Sequence, residues 1–385
     1  MDRKILISAF TLAGSIIGAG ILGLPYAFSK VGFGMGLFYL IFLGLLMMLV
    51  YLYLGEISLR VNSSHQLPGY AEKFLGKKGK ITMIIIMLFM IHSSLLAYLL
   101  GSGKSFSLLF FGNMNYAVMF SVLFWVAMSF LLRGGLKGLK KIEPYGVTVI
   151  ILIIVGAFFL FGLNIDSSNL TTFDNSFLFL PIGVVIFAFL GFTTIPELKM
   201  ELGHDLKLMK KAIIIGVTIP IVLYTLFTFS VVGFFGNNLA EIVTLTDGFG
   251  LLANLLGIFT MTTSYFILSF SMFDMYLYDL HFTKKNSYFL TILLPIVLFL
   301  GLLVLKVESF IGIISLGGVI SGGSIGIFTI WMNYKAKLLC EKLNFSELRS
   351  RNLNSKPAYS IPINLPIVIG ISLLFVIAIV LRLFF

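Results

Sequence analysis

Residues 11–25 read Thr11-Leu12-Ala13-Gly14-Ser15-Ile16-Ile17-Gly18-Ala19-Gly20-Ile21-Leu22-Gly23-Leu24-Pro25. Four glycines and a proline make this poor helix material, since glycine costs about 1 kcal/mol and proline about 3 kcal/mol at a helix-interior position relative to alanine. Yet the stretch lies inside an uncharged apolar run, residues 5–29, long enough to cross a hydrocarbon core of about 30 Å. Unwound backbone at membrane depth is tolerated only where protein or a water-filled cavity satisfies its polar groups. The stretch therefore reads as a membrane helix whose interruption lines a site. A simpler use also fits, because Gly14 and Gly18 form a GxxxG pair of the kind that lets two helices pack closely. Gly18 to Gly23 also matches GxGxxG literally. A dinucleotide site needs a preceding strand and an acid about 20 residues on, and neither is present.

The whole chain is as oily as this run. Of 385 residues, 59% are hydrophobic and 11% charged, with a mean hydropathy of +1.06, whereas soluble domains carry about 25% charged residues. So few charges could not solvate a globule of this size, and 40 Phe exclude intrinsic disorder. The single cysteine, Cys340, excludes a disulfide framework and a cysteine-rich metal site. Eleven apolar windows meet or approach the length of a membrane span: 5–29, 35–59, 81–103, 115–132, 145–163, 177–196, 211–235, 250–273, 287–305, 309–332 and 362–384. They are continuous rather than the ~10-residue alternating segments of a β-barrel. The expected fold is an all-α polytopic membrane protein with 11 transmembrane helices and no soluble domain.

The net charge of +11 would suggest nucleic acid in a soluble protein; here its placement orients the chain by the positive-inside rule. With Arg3, Lys4 and the N-terminus in the cytoplasm, inner loops collect Arg60, Lys73, Lys77, Lys78 and Lys80, then Arg133, Lys137, Lys140 and Lys141. Further inner loops hold Lys199, Lys207, Lys210 and Lys211, then Lys284 and Lys285, and a last basic group from Lys335 to Lys356. Only Lys30, Lys306 and Arg382 fall outside, with Lys104 near the outer end of span 3. The C-terminus is then expected outside, in a multi-pass protein of the cell membrane. Residues 5–29 exceed the 7–15-residue core of a signal peptide, so cleavage is not expected.

A second interruption falls in the sixth window: Phe187-Ala188-Phe189-Leu190-Gly191-Phe192-Thr193-Thr194-Ile195-Pro196-Glu197. Pro196 lacks an N–H and disfavours helix at Ile195, while Gly191 loosens the turn before it. Spans 1 and 6 are the first members of two five-helix halves, about 5–163 and 177–332, with an extra helix at 362–384; the whole of 1–385 is expected to form a single transmembrane domain. Interrupted segments at corresponding positions of two halves point to a secondary-transporter binding site, where half-helix N-termini meet anions and freed carbonyls meet cations.

These residues resemble the amino acid/polyamine/organocation transporters, and more narrowly the hydroxy and aromatic amino acid permeases and the amino acid/auxin permeases. The resemblance is carried by Ala13 to Pro25, Lys30-Val31-Gly32-Phe33, Tyr98 to Gly103, Phe187 to Pro196, Thr262-Thr263-Ser264-Tyr265 and Phe273-Asp274. It implies a 5+5 inverted repeat in which spans 1, 3, 6 and 8 surround the substrate. The substrate's charged groups would then meet the backbone of Ser15 to Gly20, with Ile17, Gly18 and Ala19 between them, and the second break from Phe189 to Thr193, which includes Gly191. Phe187, Phe189 or Phe192 would supply an aromatic wall, and Tyr98 would face it from span 3. Sodium-coupled relatives imply a cation among Gly14, Ile17, Thr263 and Ser264, although membrane hydroxyls commonly bond their own helix. Ile21 argues against a second sodium site.

Ionisable groups within spans are costly and functional by default. Glu197, His92 and Glu56 are the proton-coupling candidates. Each also has a plain structural use: Glu56 precedes Arg60 by one helical turn, His92 could bond a carbonyl as a neutral imidazole, and Lys199 or Lys211 could pair Glu197. Asp274 and Asp279 are expected on a solvated inner rim near Lys284 and Lys285. Gly317, Gly318, Gly322 and Gly323 soften span 10, with tight packing the simpler account. Four His and the absence of HExxH and GxSxG weigh against a membrane enzyme, and no P-loop supports an ATP-driven pump. Two breaks in one chain fit a carrier better than a channel, which needs a ring of filter groups. The expected function is permease-type symport of an α-amino acid with H⁺ or Na⁺. No cofactor, no metal beyond that ion, no nucleic acid and no obligate protein partner are expected; the partners are the amino acid and the bilayer.

Overall fold

The computed structural model describes residues 3–63, 65–134, 139–307 and 309–384. Lys137 lies outside the described residues, as do the side chains of Lys140 and Lys141. The chain runs through α1 (Arg3–Ile16), α2 (Gly20–Val31), α3 (Phe33–Arg60), α4 (Leu67–Phe111), α5 (Ala117–Gly134) and α6 (Leu139–Phe161). After the short α7 (Ser168–Thr171) come α8 (Leu180–Ala188), α9 (Ile195–Leu202), α10 (Met209–Phe235), α11 (Leu251–Asp274) and α12 (Lys284–Val304). The last elements are α13 (Phe310–Gly317), α14 (Gly323–Lys342), α15 (Phe345–Ser350) and α16 (Leu365–Phe384). The described residues form no strand beyond one isolated antiparallel bridge, Val61 with Leu353. Seven helices among them are long and apolar enough to cross a membrane, and α1 with α2, bent by 60° across their break, would make an eighth. Rows of exposed aliphatic side chains on α12 and α16, such as Leu293, Val297, Leu373 and Ile377, form a surface suited to lipid rather than water.

Lipid gives helices no hydrophobic reason to associate, so close packing at small residues does that work. Gly20 shows how tight the central contacts are: a Cβ there would stand 2.5 Å from the Ala188 Cα. That contact joins α2 to α8. On another face of α8, a Cβ on Gly318 would stand 2.7 Å from the Phe187 N. The glycine cluster of the tenth window is thus a packing surface, and it also winds as a π-helical turn, Gly318–Gly322, between α13 and α14. One helix runs well beyond its sequence window of 81–103. α4 begins at Leu67 and turns at Gly76, whose φ of 77° suits glycine. Pro196, expected to break span 6, instead sits in the first turn of α9, where its missing N–H leaves no helical bond unmade.

Candidate functional site

Both interruptions become real gaps in helix. α1 stops at Ile16 and α2 starts at Gly20; between them the Gly18 N–H folds back onto the Ile16 carbonyl at 2.8 Å. α8 stops at Ala188, the Leu190 N–H closes onto the Phe187 carbonyl at 3.0 Å, and a 3-10 turn, Phe192–Thr194, leads into α9. Each gap frees N–H groups at the start of one half-helix and carbonyls at the end of the other. Aligned peptide dipoles give the first a positive and the second a negative partial charge of about half an electron.

A cavity lies between the gaps. The first gap contributes Gly14, Ser15, Ile16, Gly18 and Gly20; the second contributes Phe187, Leu190, Gly191, Phe192 and Thr193. α4 closes it with Met90, Ser94 and Tyr98, and α11 with Ser264, Ile267 and Leu268. Among the described residues, no charged side chain lines it. Its polarity comes from backbone and hydroxyls: the Tyr98 hydroxyl interacts with Ser94 and Ser264, and Thr194 Oγ1 donates to Ser15 Oγ at 2.5 Å, tying the two gaps together. The cavity is small, about 30 Å³, with room for a water or two. A solute as large as an amino acid enters only if these walls separate.

The structure brings most of the sequence-derived candidates to this cavity. Ser15, Gly18, Gly20, Tyr98, Phe187, Gly191, Phe192 and Thr193 line it, as do Gly14 and Ser264. Ile17 and Ala19 are buried in the first gap without lining it. The Phe189 ring turns away, edge-on to Tyr224 at 5.6 Å. Thr263 also turns away, donating to the carbonyls of its own helix at Phe259 (3.1 Å) and Thr260 (3.0 Å); Ser264 is the hydroxyl of that pair facing the cavity.

The three ionisable candidates lie outside the lining. Buried His92 donates from Nδ1 to the Leu88 carbonyl at 2.7 Å, and its Nε2 has no hydrogen-bond partner among the described residues. Glu197 is half-buried on the first turn of α9. Lys199 does not run to it: its ammonium donates to the carbonyls of Ser58, at 2.8 Å, and Val61, where a cation suits the C-terminal end of α3. Glu56 is fully buried and takes Arg60 Nη2 at 2.7 Å, Ser360 Oγ at 2.9 Å, the Ile361 N–H at 2.8 Å and Lys337 Nζ at 3.5 Å. Asp279 is not on a fully solvated rim: its Oδ2 is buried with no hydrogen-bond partner among the described residues.

Sequence reading missed two groups. Ser94 lies one turn before Tyr98, and Ile267 and Leu268 lie one turn after Ser264, so helical spacing could have found them. Tyr51 and Tyr224 had no such signal. Tyr51 donates to the Phe189 carbonyl at 2.8 Å and stacks on Phe192 at 4.8 Å. Tyr224 reaches the carbonyls of Ile16 at 3.1 Å and Ala188 at 2.9 Å.

Known proteins resemble this chain in sequence and in fold. The chain is 27% identical to tyrosine-specific transport system 1 of Haemophilus influenzae over 61% of its length and 59% of that protein's. It is 28% identical to tyrosine-specific transport system 2 of the same organism (58% and 57%), and 24% identical to glutamine transporter 2 of Aliivibrio fischeri (60% and 62%). The matches thus span about six-tenths of these relatives. Among solved structures, the crystal structure of MhsT in complex with L-phenylalanine superposes with a TM-score of 0.62 at 14% identity, covering 100% of this chain and 98% of that one. A mutant manganese transporter from Eremococcus coleocola superposes at 0.58 and 11% identity, covering 100% and 96%. At these identities the likeness is one of fold. With a family profile matched across residues 1–348, the chain belongs to the tryptophan/tyrosine permease family.

Proposed function

We propose that the protein is a secondary active transporter that carries an α-amino acid, aromatic by preference, across the cell membrane. It works by alternating access, driven by a gradient of H⁺ or Na⁺, without covalent chemistry. The observation that carries this reading is the uncharged cavity closed between two helix gaps. A zwitterion's carboxylate suits freed N–H groups at half-helix N-termini, and its ammonium suits freed carbonyls. Phe187 and Phe192, with Met90, Ile267 and Leu268, supply apolar and aromatic walls for an aromatic side chain. A cavity without a counter-charge disfavours acidic and basic amino acids, whose third charge would be buried unpaired. The two tyrosine-specific relatives support the aromatic reading.

In this reading the chain crosses the bilayer eleven times within a single domain, 1–385. α1 with α2 forms the first crossing, α8 to α9 the sixth, α13 with α14 the tenth and α16 the eleventh. The crossings of 5–163 and 177–332 form an inverted 5+5 repeat, with the N-terminus cytoplasmic and the C-terminus outside. Of the three proton-coupling candidates, His92 has a ring nitrogen with no partner among the described residues, whereas Glu56 is surrounded by donors.

Uptake into proteoliposomes tests the proposal. Tyrosine, tryptophan, phenylalanine, glutamine, glutamate and lysine are offered under separate pH and sodium gradients. Saturable, gradient-driven accumulation of the aromatic amino acids, each competing with the others, is expected. No accumulation of any of them, or single-channel currents in their place, overturns it.

A further inference from the structure

Two half-helix C-termini meet beneath the cavity, and they meet on one atom. Ile16 is the last residue of α1 and Ala188 the last of α8. Their carbonyls lie 3.1 and 2.9 Å from the same oxygen, the hydroxyl of Tyr224 on α10. Each helix end carries a negative partial charge, so bringing two together in a buried place calls for a cation or a hydrogen-bond donor between them. Freed carbonyls at such ends are also where transporters of this general design coordinate a cation. Here the Gly18 N–H occupies the Ile16 carbonyl from one direction, at 2.8 Å, and the phenol approaches from another. Tyr224 is fully buried, and its ring is held edge-on by Phe189.

We propose that the Tyr224 hydroxyl stands in place of a cation at the junction of the two broken helices. It is a positioning residue: it holds the ends of α1 and α8 in register, so this junction needs no bound ion. The phenol has a single proton and donates to one carbonyl at a time. It therefore links the two helix ends without adding charge, and it can exchange acceptors as they shift relative to α10. Tyr51 is the internal comparison, because among the described residues its hydroxyl donates to a single carbonyl, Phe189, and belongs to one gap. The inference adds to the transport reading and rests on it for its consequence in uptake, but the junction itself can be probed without substrate.

The test uses purified full-length wild-type protein, Tyr224→Phe, Tyr224→Gln and Tyr51→Phe. Melting temperatures are compared in sodium chloride and in choline chloride of equal ionic strength, with no amino acid present. Removing the Tyr224 donor leaves two carbonyls facing each other. Tyr224→Phe is therefore expected to melt lower than wild type in choline and to recover in sodium, while wild type and Tyr51→Phe show no such recovery. In proteoliposomes under a fixed pH gradient, Tyr224→Phe is expected to take up tyrosine about tenfold more slowly in choline, the effect of one lost buried hydrogen bond, and sodium is expected to restore part of the rate. Tyr224→Gln, which returns an N–H donor, is expected to need sodium less than Tyr224→Phe. It carries the test if the Phe variant cannot be recovered folded in either salt. Sodium stabilising wild type as much as Tyr224→Phe overturns the proposal. So does a Tyr224→Phe loss that sodium leaves unchanged, an equal sodium response in Tyr51→Phe, or a Gln variant that depends on sodium as strongly as the Phe variant. Because melting is read without substrate, a wild type that transports no amino acid would defeat the transport reading and leave this measurement standing.

Discussion

Around the helix gaps the buried polar groups are backbone amides, freed carbonyls and hydroxyls: Ser15 with Thr194, Tyr98 with Ser94 and Ser264, Tyr224 with Ile16 and Ala188. At the C-terminal end of α3 they are full charges. Glu56 there holds Arg60 and Lys337, and Ser360 and Ile361 bind it from the segment before α16. Nearby, Tyr359 donates to the Leu52 carbonyl at 2.8 Å and Asn354 N–H to the Arg60 carbonyl at 2.8 Å. The first region is built from neutral bonds, each worth less than a charge-assisted one, as the proposed opening of the cavity needs. The second is built from charge-assisted bonds, which are about twice as strong, and it fastens the segment before α16 to α3. One sequence thus separates a part suited to movement from a part suited to staying still.

Substitutions can break or sharpen that contrast, beginning with the largest effect. A Cβ at Gly191 would stand 2.9 Å from both Ile16 Cγ1 and the Tyr51 hydroxyl, and one at Gly18 would stand 2.9 Å from Ser264 Oγ. Gly191→Leu and Gly18→Leu are expected to lower uptake at least a hundredfold while membrane insertion, measured by surface labelling, is retained. Glu56→Gln should do the reverse. It leaves Arg60 and Lys337 buried without their counter-charge, a loss of about 3–5 kcal/mol when one partner of a buried pair is removed. A clearly lowered melting temperature is expected, with the surviving protein keeping the wild-type response to the driving gradient.

Thr263→Val should be mild, because among the described residues the lost hydroxyl bonds only its own helix carbonyls; uptake within about twofold of wild type, in sodium and in choline, is expected. A strong sodium-specific defect would return Thr263 to the ion site. The smallest effect belongs to Asp205, an exposed residue whose carboxyl is held below the ordinary carboxylate range by the bond from Lys4. A lowered carboxyl pKa contributes stability above the ordinary value near 4 and loses it as pH falls through the lowered one. Asp205→Asn should leave uptake at pH 7 unchanged and remove only a slight decline of melting temperature in acid.

The two regions also differed in what the sequence could disclose. Glycine and proline inside an apolar run conflict with the helix around them, and that local conflict marked both gaps before any fold was known. The Glu56–Arg60 pair was readable for the same reason, being one helical turn apart. The partners that complete each region come from far along the chain. Tyr51 and Phe189 are 138 residues apart, Tyr224 and Ile16 are 208, and Glu56 and Ser360 are 304. Tyrosine is unremarkable in an apolar span, and nothing nearby says that its hydroxyl meets a helix end. Phe189 shows the reverse difficulty. It stands in the right segment, but a gap of non-helical residues scrambles which side chains face inward, and its ring points to Tyr224 while Phe187 and Phe192 face the cavity.

Gradient-driven uptake of tyrosine by wild type and Gly191→Leu, reconstituted at equal density in the same vesicle preparation, places the cavity itself under test. Saturable accumulation by wild type that collapses with the gradient, and none above empty vesicles for Gly191→Leu, is the result expected of a transport site between the two helix gaps. Equal accumulation by both proteins would contradict it.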